Sequence, residues 1–364
     1  MDGIDDRSPL RPELLPGHGY VPPPSPPSPI PRRPRWLLAL TLFALTFFFT
    51  TTLGPVFWML TRTDVLTEHE PSLSPTLIAQ VWGDPEMLQL GLSFSVPVLL
   101  ILLAHEMGHY LACRYYRLPA TLPYFLPLPM MLGTLGAFIR IRAPLRNRRE
   151  LFDVGVAGPI AGFVVLVPFL VYGIAHSSLA PRPDLLQPGE WKALPGRCLA
   201  IELIARLLHK PMDAGTILNL HPFALAGWFG LLATSINLIP LGQLDGGHIL
   251  YAVSRRAQRW LAPAVWLGLA GAGFFWPGWW VWCVLSVVFG VFHPPLQNET
   301  VPLGRGRTWL AAVALAIFIL SFIPRGIENL QGLLPGQEPE PAGEWVQKST
   351  TKVTGPSLTS ETSM

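Results

Sequence analysis

The chain has 364 residues, of which 50% are hydrophobic and 13% are charged, and its formal net charge is +3. Soluble domains carry about 25% charged residues, so the composition excludes an ordinary soluble domain and favours a multi-spanning protein of the lipid bilayer. The small net charge, without a basic patch that includes aromatic residues, argues against a nucleic-acid partner. The three cysteines (Cys113, Cys198 and Cys283) are too widely spaced to indicate a disulfide framework or a cysteine-rich zinc site.

The first 35 residues are rich in proline and end in a basic cluster, which predicts a disordered tail. The apolar run that follows, residues 36–60, is longer than the core of a signal peptide and has no convincing cleavage site. We interpret it as a retained first membrane span. Residues 61–86 are polar and mildly acidic, so we expect a loop there.

Residues 87–115 form the second predicted span. The stretch that follows, 119–144, is apolar but contains so many prolines and glycines that it cannot be a regular helix. Its part 136–142 alternates like a short strand, so we expect a membrane-associated β-strand or hairpin after the second helix. Non-helical backbone is tolerated near a membrane where a wet cavity or protein satisfies it, and a wet cavity is therefore expected beside this segment.

The remaining apolar runs predict further spans. The third opens with small residues that allow close helix packing, and the fourth is interrupted by Pro240 and several glycines. The predicted segments are a third span at 151–175, a loop at 176–220 with a short helix at 198–208, a fourth span at 222–253, two short spans or a hairpin at 262–276 and 277–292, a last span at 309–323 and a polar tail at 324–364. The predicted fold class is an all-α polytopic membrane protein with about six to seven transmembrane helices. One intramembrane domain, 36–323, would lie between a disordered N-terminal tail, 1–35, and a disordered C-terminal tail, 324–364.

The basic residues predict the orientation of the chain. With the N-terminus in the cytoplasm and alternating spans, every basic cluster lies on the cytoplasmic side, as the positive-inside rule requires. The clusters are 32–35, Arg114 with Arg117, 140–149, 255–259 and Arg305 with Arg307. The sequence leaves open on which side of the membrane the C-terminus lies, because it leaves open the number of C-terminal spans.

The second span contains the motif H-E-x-x-H, from His105 to His109. Ionisable groups inside a bilayer are costly, so their presence asks for a functional explanation. On a helix, residues four apart differ by about 40° in azimuth, so His105 and His109 can bind one ion. Glu106 lies beside them and could act as a base on water at the metal.

A hydrolytic zinc site needs three protein ligands and one open position. His109 is not followed by a third histidine at the spacing of soluble zinc proteases, so the third ligand must come from another span. Asp245 is the best candidate, because it is a carboxylate in the broken fourth span and two glycines follow it. Asn237 could serve either a substrate or a hydrogen bond between helices, and His248 is interpreted as an interfacial or supporting histidine.

These residues closely resemble the site-2 protease family of intramembrane zinc metalloproteases. The resemblance rests on H-E-x-x-H together with N-x-x-P-x-x-x-L-D-G at 237–246, on the G-P-x-x-G element at 158–162 and on the strand-like region after the second span. It covers about 87–253, which we take as the core of the domain. Loop 176–220 has about 45 residues, too few for the PDZ domain that many bacterial members carry there.

The resemblance implies one catalytic Zn²⁺ held by His105, His109 and Asp245, with Glu106 as the general base and Asn237 near the substrate backbone or the transition-state oxygen. It also implies a transmembrane protein or peptide as the substrate and a multi-pass protein of the bacterial cytoplasmic membrane. The peptide bond would be hydrolysed near the cytoplasmic face, in regulated intramembrane proteolysis.

Two other functions remain open on the sequence. A zinc transporter would also place histidines and carboxylates in a membrane, but it needs a series of ligands through the bilayer that is not evident here. A catalytically silent relative could bind transmembrane segments without cleaving them, although the intact Glu106 argues against it. The sequence leaves the substrate, any upstream protease and the oligomeric state open.

Overall fold

The computed structural model describes residues 36–62, 73–129, 132–181, 193–213 and 215–328. The described part is mostly helical. Its ten helices are α1 (Trp36–Thr61), α2 (Pro75–Gly83), α3 (Pro85–Tyr115), α4 (Arg148–Ala175), α5 (Leu199–Leu207), α6 (Pro222–Asn237), α7 (Asp245–Val253), α8 (Arg255–Ala272), α9 (Gly278–Phe289) and α10 (Arg305–Ser321). Both predicted disordered tails fall outside the described residues, except for the first few residues after position 323.

Within the described residues, three helices are long and apolar enough to cross a membrane, namely α1, α3 and α4. They correspond to the first three predicted spans. The other helices are shorter or less apolar: α6, for example, has 16 residues and is about 24 Å long, less than the roughly 30 Å of a bilayer core. The predicted total of six to seven spans therefore stays a prediction.

The predicted loop 61–86 contains a helix, α2, that its polarity did not predict. Helix α2 begins after Ser74, whose hydroxyl accepts a hydrogen bond from the backbone N–H of Leu77, and Pro75 occupies its first position. Both features are typical of a helix start. The polar composition of residues 61–86 therefore does not exclude a short helix.

In the part of the chain that the structure describes, six short strands form three antiparallel pairs, β1 (Tyr124–Pro127) with β2 (Thr134–Phe138), β3 (Ser178–Pro181) with β5 (Thr216–Asn219), and β4 (Leu194–Pro195) with β6 (Ile327–Glu328). The β1–β2 pair follows α3, in the region where the sequence predicts a strand or hairpin; its association with a membrane stays a prediction. The pairing continues beyond the two strands, since Thr121 N donates to Arg140 O and Arg142 N donates to Pro119 O.

Helix α4 is central and packs against α3, α6, α7 and α10. Its start is well defined: the Asn147 side chain accepts hydrogen bonds from Arg149 N and Glu150 N, and Glu150 accepts in turn from Arg146 N and Asn147 Nδ2. The largest buried cluster includes Phe94 of α3, Leu166 of α4 and Trp228 of α6. Large apolar side chains on the outside, among them Leu37, Trp260 and Leu315, suit a lipid environment.

The predicted fourth span is divided into two helices. Helix α6 ends at Asn237, and α7 begins at Asp245 after an irregular segment that contains Pro240. Gly242 in this segment has a φ of +49°, and its N–H donates to the carbonyl of Val291. The interruption predicted from the proline and glycines is therefore present, and it places Asp245 at the start of a helix.

Candidate active site

Three side chains from two separate helices meet at one point. The His105 and His109 Nε2 atoms are 3.1 Å apart, and Asp245 Oδ2 lies 3.2 Å from the first and 3.3 Å from the second. Both histidines are buried, and Asp245 is nearly so. Among the described residues this is the one group of three side chains that could hold a metal ion.

The spacing of these three atoms fits a tetrahedral zinc ion. Zinc lies about 2.0–2.1 Å from histidine nitrogens and carboxylate oxygens, so two ligands of a tetrahedral ion are about 3.3 Å apart. The observed separations of 3.1, 3.2 and 3.3 Å therefore allow all three atoms to bind one ion without rearrangement.

Hydrogen bonding around His109 also favours a cation between the three side chains. His109 Nδ1 lies 2.7 Å from the backbone carbonyl of Val154, which can only accept, so Nδ1 carries the proton. In the neutral ring, Nε2 then presents a lone pair to the Asp245 carboxylate. Two acceptors facing each other at 3.3 Å repel unless a proton or a metal cation lies between them, and a histidine bonded to a carbonyl through its other nitrogen is the usual arrangement for a metal ligand.

The glycines of α4 make room for this arrangement. A Cβ atom at Gly158 would lie 2.1 Å from His109 Nε2, and one at Gly162 would lie 3.2 Å from His105 Cβ. On the opposite side of the contact, a Cβ at Gly108 of α3 would lie 2.4 Å from the carbonyl oxygen of Ala157. The small residues of the third span are predicted to allow close helix packing, and they bring α4 close to α3 at the two histidines.

Glycines also position Asp245. A Cβ at Gly246 would lie 2.0 Å from the carbonyl oxygen of Leu238, and one at Gly247 would lie 2.4 Å from that of Gly242. The start of α7 therefore packs directly against the backbone of the segment that follows α6. Gly155 allows α7 to approach α4, since a Cβ there would lie 2.9 Å from His248 Cβ.

The remaining predicted residues lie around these three atoms. Glu106 is buried and interacts electrostatically with both histidines and Asp245, and the backbone N–H of Ile139, just after β2, interacts with its carboxylate. Asn237 Nδ2 lies 3.3 Å from His105 Nε2. His248 packs against the ring of His293 and supplies no atom to the three-residue group. Cys113 is fully buried in a small apolar cluster.

Sequence reasoning missed the Val154 carbonyl, because a backbone acceptor has no sequence signature. It also missed the ion pair of Asp153 and Arg307, which lies next to Val154 and joins α4 to α10. One indirect signal is present in the sequence, since the acidic Asp153 lies two positions before Gly155, the first small residue of the third span.

Comparison with known proteins gives a consistent result. Residues 93–266 match Peptidase family M50. The chain is 28% identical over 311 residues to "Probable zinc metalloprotease EGY1, chloroplastic" of Oryza sativa subsp. japonica, covering 80% of this chain and 50% of that protein. It is 30% identical over 250 residues to "Probable zinc metalloprotease EGY2, chloroplastic" of Oryza sativa subsp. indica, covering 68% of this chain and 45% of that protein.

A similar match, 29% identical over 254 residues, is to "Probable zinc metalloprotease EGY1, chloroplastic" of Arabidopsis thaliana, with 64% of this chain and 43% of that protein covered. The chain thus spans half or less of the length of these relatives. The matched region 93–266 includes both halves of the metal motif and the helices that bring them together. The family match, the relatives and the geometry of the site agree, and together they support the assignment of this chain to peptidase family M50, the site-2 protease family of zinc metalloproteases.

Proposed function

We propose that this protein is an intramembrane zinc metalloprotease that hydrolyses a peptide bond in the transmembrane segment of a membrane-tethered substrate. The observation that carries the proposal is the group of His105, His109 and Asp245, whose ligand atoms have the spacing of a tetrahedral zinc site, with the buried Glu106 beside it. The three relatives named above are each described as a probable zinc metalloprotease, which supports the same function.

In this proposal His105, His109 and Asp245 hold the ion, and the fourth position stays open for water and substrate. Zinc, when bound, supplies a Lewis acid that polarises the scissile carbonyl and makes water a nucleophile at neutral pH. The chain's own contribution is to fix the three ligand atoms. The Val154 carbonyl orients His109, and the glycine contacts fix the distance between α4 and the two ligand-bearing helices.

Glu106 is proposed as the general base and acid. Its carboxylate takes a proton from the attacking water as the oxygen bonds to the carbonyl carbon, and it then gives that proton to the amine nitrogen as the C–N bond breaks. Its neighbours suit this role, since it interacts electrostatically with the proposed ligands His105 and His109 and with the backbone of Ile139, just after β2.

Asn237 is proposed to contact the substrate. Its amide nitrogen lies 3.3 Å from His105 Nε2, but a nitrogen that binds an ion has no lone pair left for the amide. When the metal is bound, the amide is therefore free to donate to the oxygen of the scissile carbonyl. Donors in that position stabilise the negative charge that develops in the transition state.

The outer edge of segment 133–142, which contains β2 and the residues just after it, is proposed to bind the substrate once its helix has unwound. Arg140 and Arg142 pair with the segment before β1, so the alternating residues Ile139 and Ile141 present their backbone groups to the other edge. At Ile139 this edge lies next to Glu106, whose carboxylate interacts with the Ile139 backbone. A substrate strand added there would receive backbone hydrogen bonds and lie next to the base.

The proposed membrane orientation places the N-terminus and the metal site towards the cytoplasm, because the basic clusters then all lie inside. We propose the bacterial cytoplasmic membrane as the location; the word "chloroplastic" in the names of the relatives describes those proteins. Release of a membrane-tethered regulatory protein is the proposed biological outcome.

The proposal can be tested by comparing membranes of cells that express the wild type, Glu106→Gln or Glu86→Gln. Glu86→Gln is a matched control, because it makes the same substitution in the same helix at an exposed position far from the metal site. Mass spectrometry of membrane peptides should show transmembrane segments that are cleaved with the wild type and Glu86→Gln and intact with Glu106→Gln. Zinc content of the purified proteins should be the same in all three.

Cleavage that persists in Glu106→Gln would refute the role of Glu106. A wild type that binds zinc and moves it across proteoliposome membranes, without cleaving any membrane protein, would support a transporter instead. Binding of a transmembrane peptide by the wild type, with no cleavage product at any time, would indicate a silent relative.

A further inference from the structure

A polar cluster outside the metal site joins α4, α10 and the end of α3. Asp153 of α4 accepts two hydrogen bonds from Arg307 of α10, at 2.8 Å from Nε and 2.6 Å from Nη2. It also accepts a short hydrogen bond from the hydroxyl of Tyr116, which directly follows α3, and Arg307 Nη2 lies 3.3 Å from the same hydroxyl. A two-point contact between arginine and a carboxylate fixes the geometry as well as the charge.

This cluster lies next to the residue that orients a candidate metal ligand. Val154 follows Asp153 in α4, and its carbonyl accepts the hydrogen bond from His109 Nδ1. His109 and Tyr116 are seven residues apart, or about two helical turns, so they lie on the same face of α3. Two consecutive residues of α4 therefore accept hydrogen bonds from this face. Asp153 accepts from Tyr116, and the carbonyl of Val154 accepts from His109.

The tight packing of His109 makes its position depend on this part of α4. The ring lies so close to the turn 154–158 that a Cβ at Gly158 would overlap it. Metal sites tolerate ligand displacements of about 0.2 Å. Even a small movement of this turn would therefore change the position of Nε2 relative to His105 and Asp245.

We infer that Asp153, held by Arg307 and Tyr116, is a positioning residue that fixes the turn of α4 from which the Val154 carbonyl orients His109, and that it thereby sets the affinity of the metal site. The inference rests on the proposed function, since it assumes that His109 binds the ion. Arg307 lies outside residues 93–266, so the functional unit extends beyond the region of the family match to α10.

Tyr116 can act as the donor that this arrangement requires. Burial and the adjacent Asp153 carboxylate raise the pKa of Tyr116, so its hydroxyl stays protonated at neutral pH. Removing this hydroxyl takes away one hydrogen bond and leaves the pair of Asp153 and Arg307 in place. It is therefore the mildest change that weakens the cluster.

The test compares metal binding by the purified full-length wild type with that of Asp153→Asn, Arg307→Lys and Tyr116→Phe. Losing a group that supports a metal ligand costs 10- to 100-fold in metal affinity. Because Asp153 acts through a neighbouring backbone carbonyl, we expect about a tenfold loss of zinc affinity for Asp153→Asn and Arg307→Lys and a smaller loss for Tyr116→Phe. The visible absorption of Co²⁺-loaded protein should also change, since it reports the geometry of the ligands.

Arg255→Lys is the matched control. Glu299 accepts hydrogen bonds from Arg255 and Tyr251, so this second cluster has the same residue types as the first, although Arg255 makes one hydrogen bond where Arg307 makes two. Among the described residues, none of these hydrogen bonds involves Val154 or His109. The zinc affinity and Co²⁺ spectrum of Arg255→Lys should equal those of the wild type. Thermal unfolding of each variant shows whether a loss of metal follows a loss of folding.

The outcomes separate the inference from the proposed function. A wild type that binds neither zinc nor Co²⁺ would refute the proposed function. A wild type that binds both, with unchanged affinity and spectrum in all three variants, would refute the positioning role alone. The positioning role is also refuted if Asp153→Asn and Arg307→Lys lose metal only on unfolding while Tyr116→Phe binds as the wild type does.

Discussion

Gly158 is the position where the packing of α4 bears most directly on the metal site. In Gly158→Ala the added Cβ would lie 2.1 Å from His109 Nε2, 2.4 Å from Cε1 and 2.6 Å from Cδ2. Carbon atoms in contact are about 3.5–4.0 Å apart, so ring and helix would have to separate by more than about 1 Å. The ring cannot turn away without breaking its hydrogen bond to Val154.

The expected magnitude follows from this displacement. Metal ligands tolerate about 0.2 Å, so a shift of about 1 Å removes one of the three ligands. Because losing a mere supporting group already costs 10- to 100-fold in metal affinity, we expect a loss of at least about 100-fold for Gly158→Ala and no measurable cleavage. Gly162→Ala should be milder, since its Cβ would lie 3.2 Å from His105 Cβ and a small adjustment relieves the contact.

The assay is zinc content after dialysis against a weak chelator, with the unfolding temperature measured in parallel. Gly268→Ala is the control, because it is also a glycine in a helix but nothing lies within 4 Å of its Cβ. Alanine is better than glycine inside a helix by about 0.5–1 kcal/mol, so this control should be as stable as the wild type or slightly more so. If Gly158→Ala keeps its zinc and cleaves within a few-fold of the wild type, the reasoning about how α4 determines the site is refuted.

Three further predictions address the other parts of the site. Asn237→Ala should keep its zinc but cleave about 10²- to 10³-fold more slowly, as expected when a donor to the transition-state oxygen is lost; unchanged kcat would contradict the role. Gly246→Ala places a Cβ 2.0 Å from the carbonyl oxygen of Leu238, so both zinc content and unfolding temperature should fall, whereas Gly271→Ala should lower neither. Removing zinc with a chelator should lower the unfolding temperature and adding zinc should restore it, since a ligand at 100 times its Kd stabilises the native state by about 2.7 kcal/mol; an unfolding temperature independent of zinc would contradict a site built from two separate helices.

The sequence predicted the parts of the site that depend on residue type. Histidines, a glutamate and an aspartate are so unfavourable in apolar runs that their positions alone indicated which residues belong together. Their close approach in the structure agrees with that grouping, and the interruption before Asp245 lies where Pro240 and the glycines predict it. Their roles as ligands and base stay predictions until metal binding is measured.

The features that the sequence did not predict depend on backbone or on distant pairing. The Val154 carbonyl is present whatever the side chain, so no pattern distinguishes it from its neighbours. Strands β3 and β5 pair across more than thirty residues, and such a register is set by tertiary packing. Helix α2 is different, because its helix-start signals, Ser74 and Pro75, are present in a segment whose polarity favours a loop.

The geometry of the site is set mainly by a helix that supplies none of the proposed ligands. Helix α3 carries His105 and His109, α7 carries Asp245, and α4 packs against both. Its glycines at 158 and 162 contact the two histidines, while Gly155 contacts α7 at His248. Since packed helices respond to added volume by moving apart, larger residues along this face would widen the gap between the histidines and Asp245 even with every ligand intact. Zinc affinity in this protein should therefore depend as strongly on the small residues of α4 as on the proposed ligands themselves.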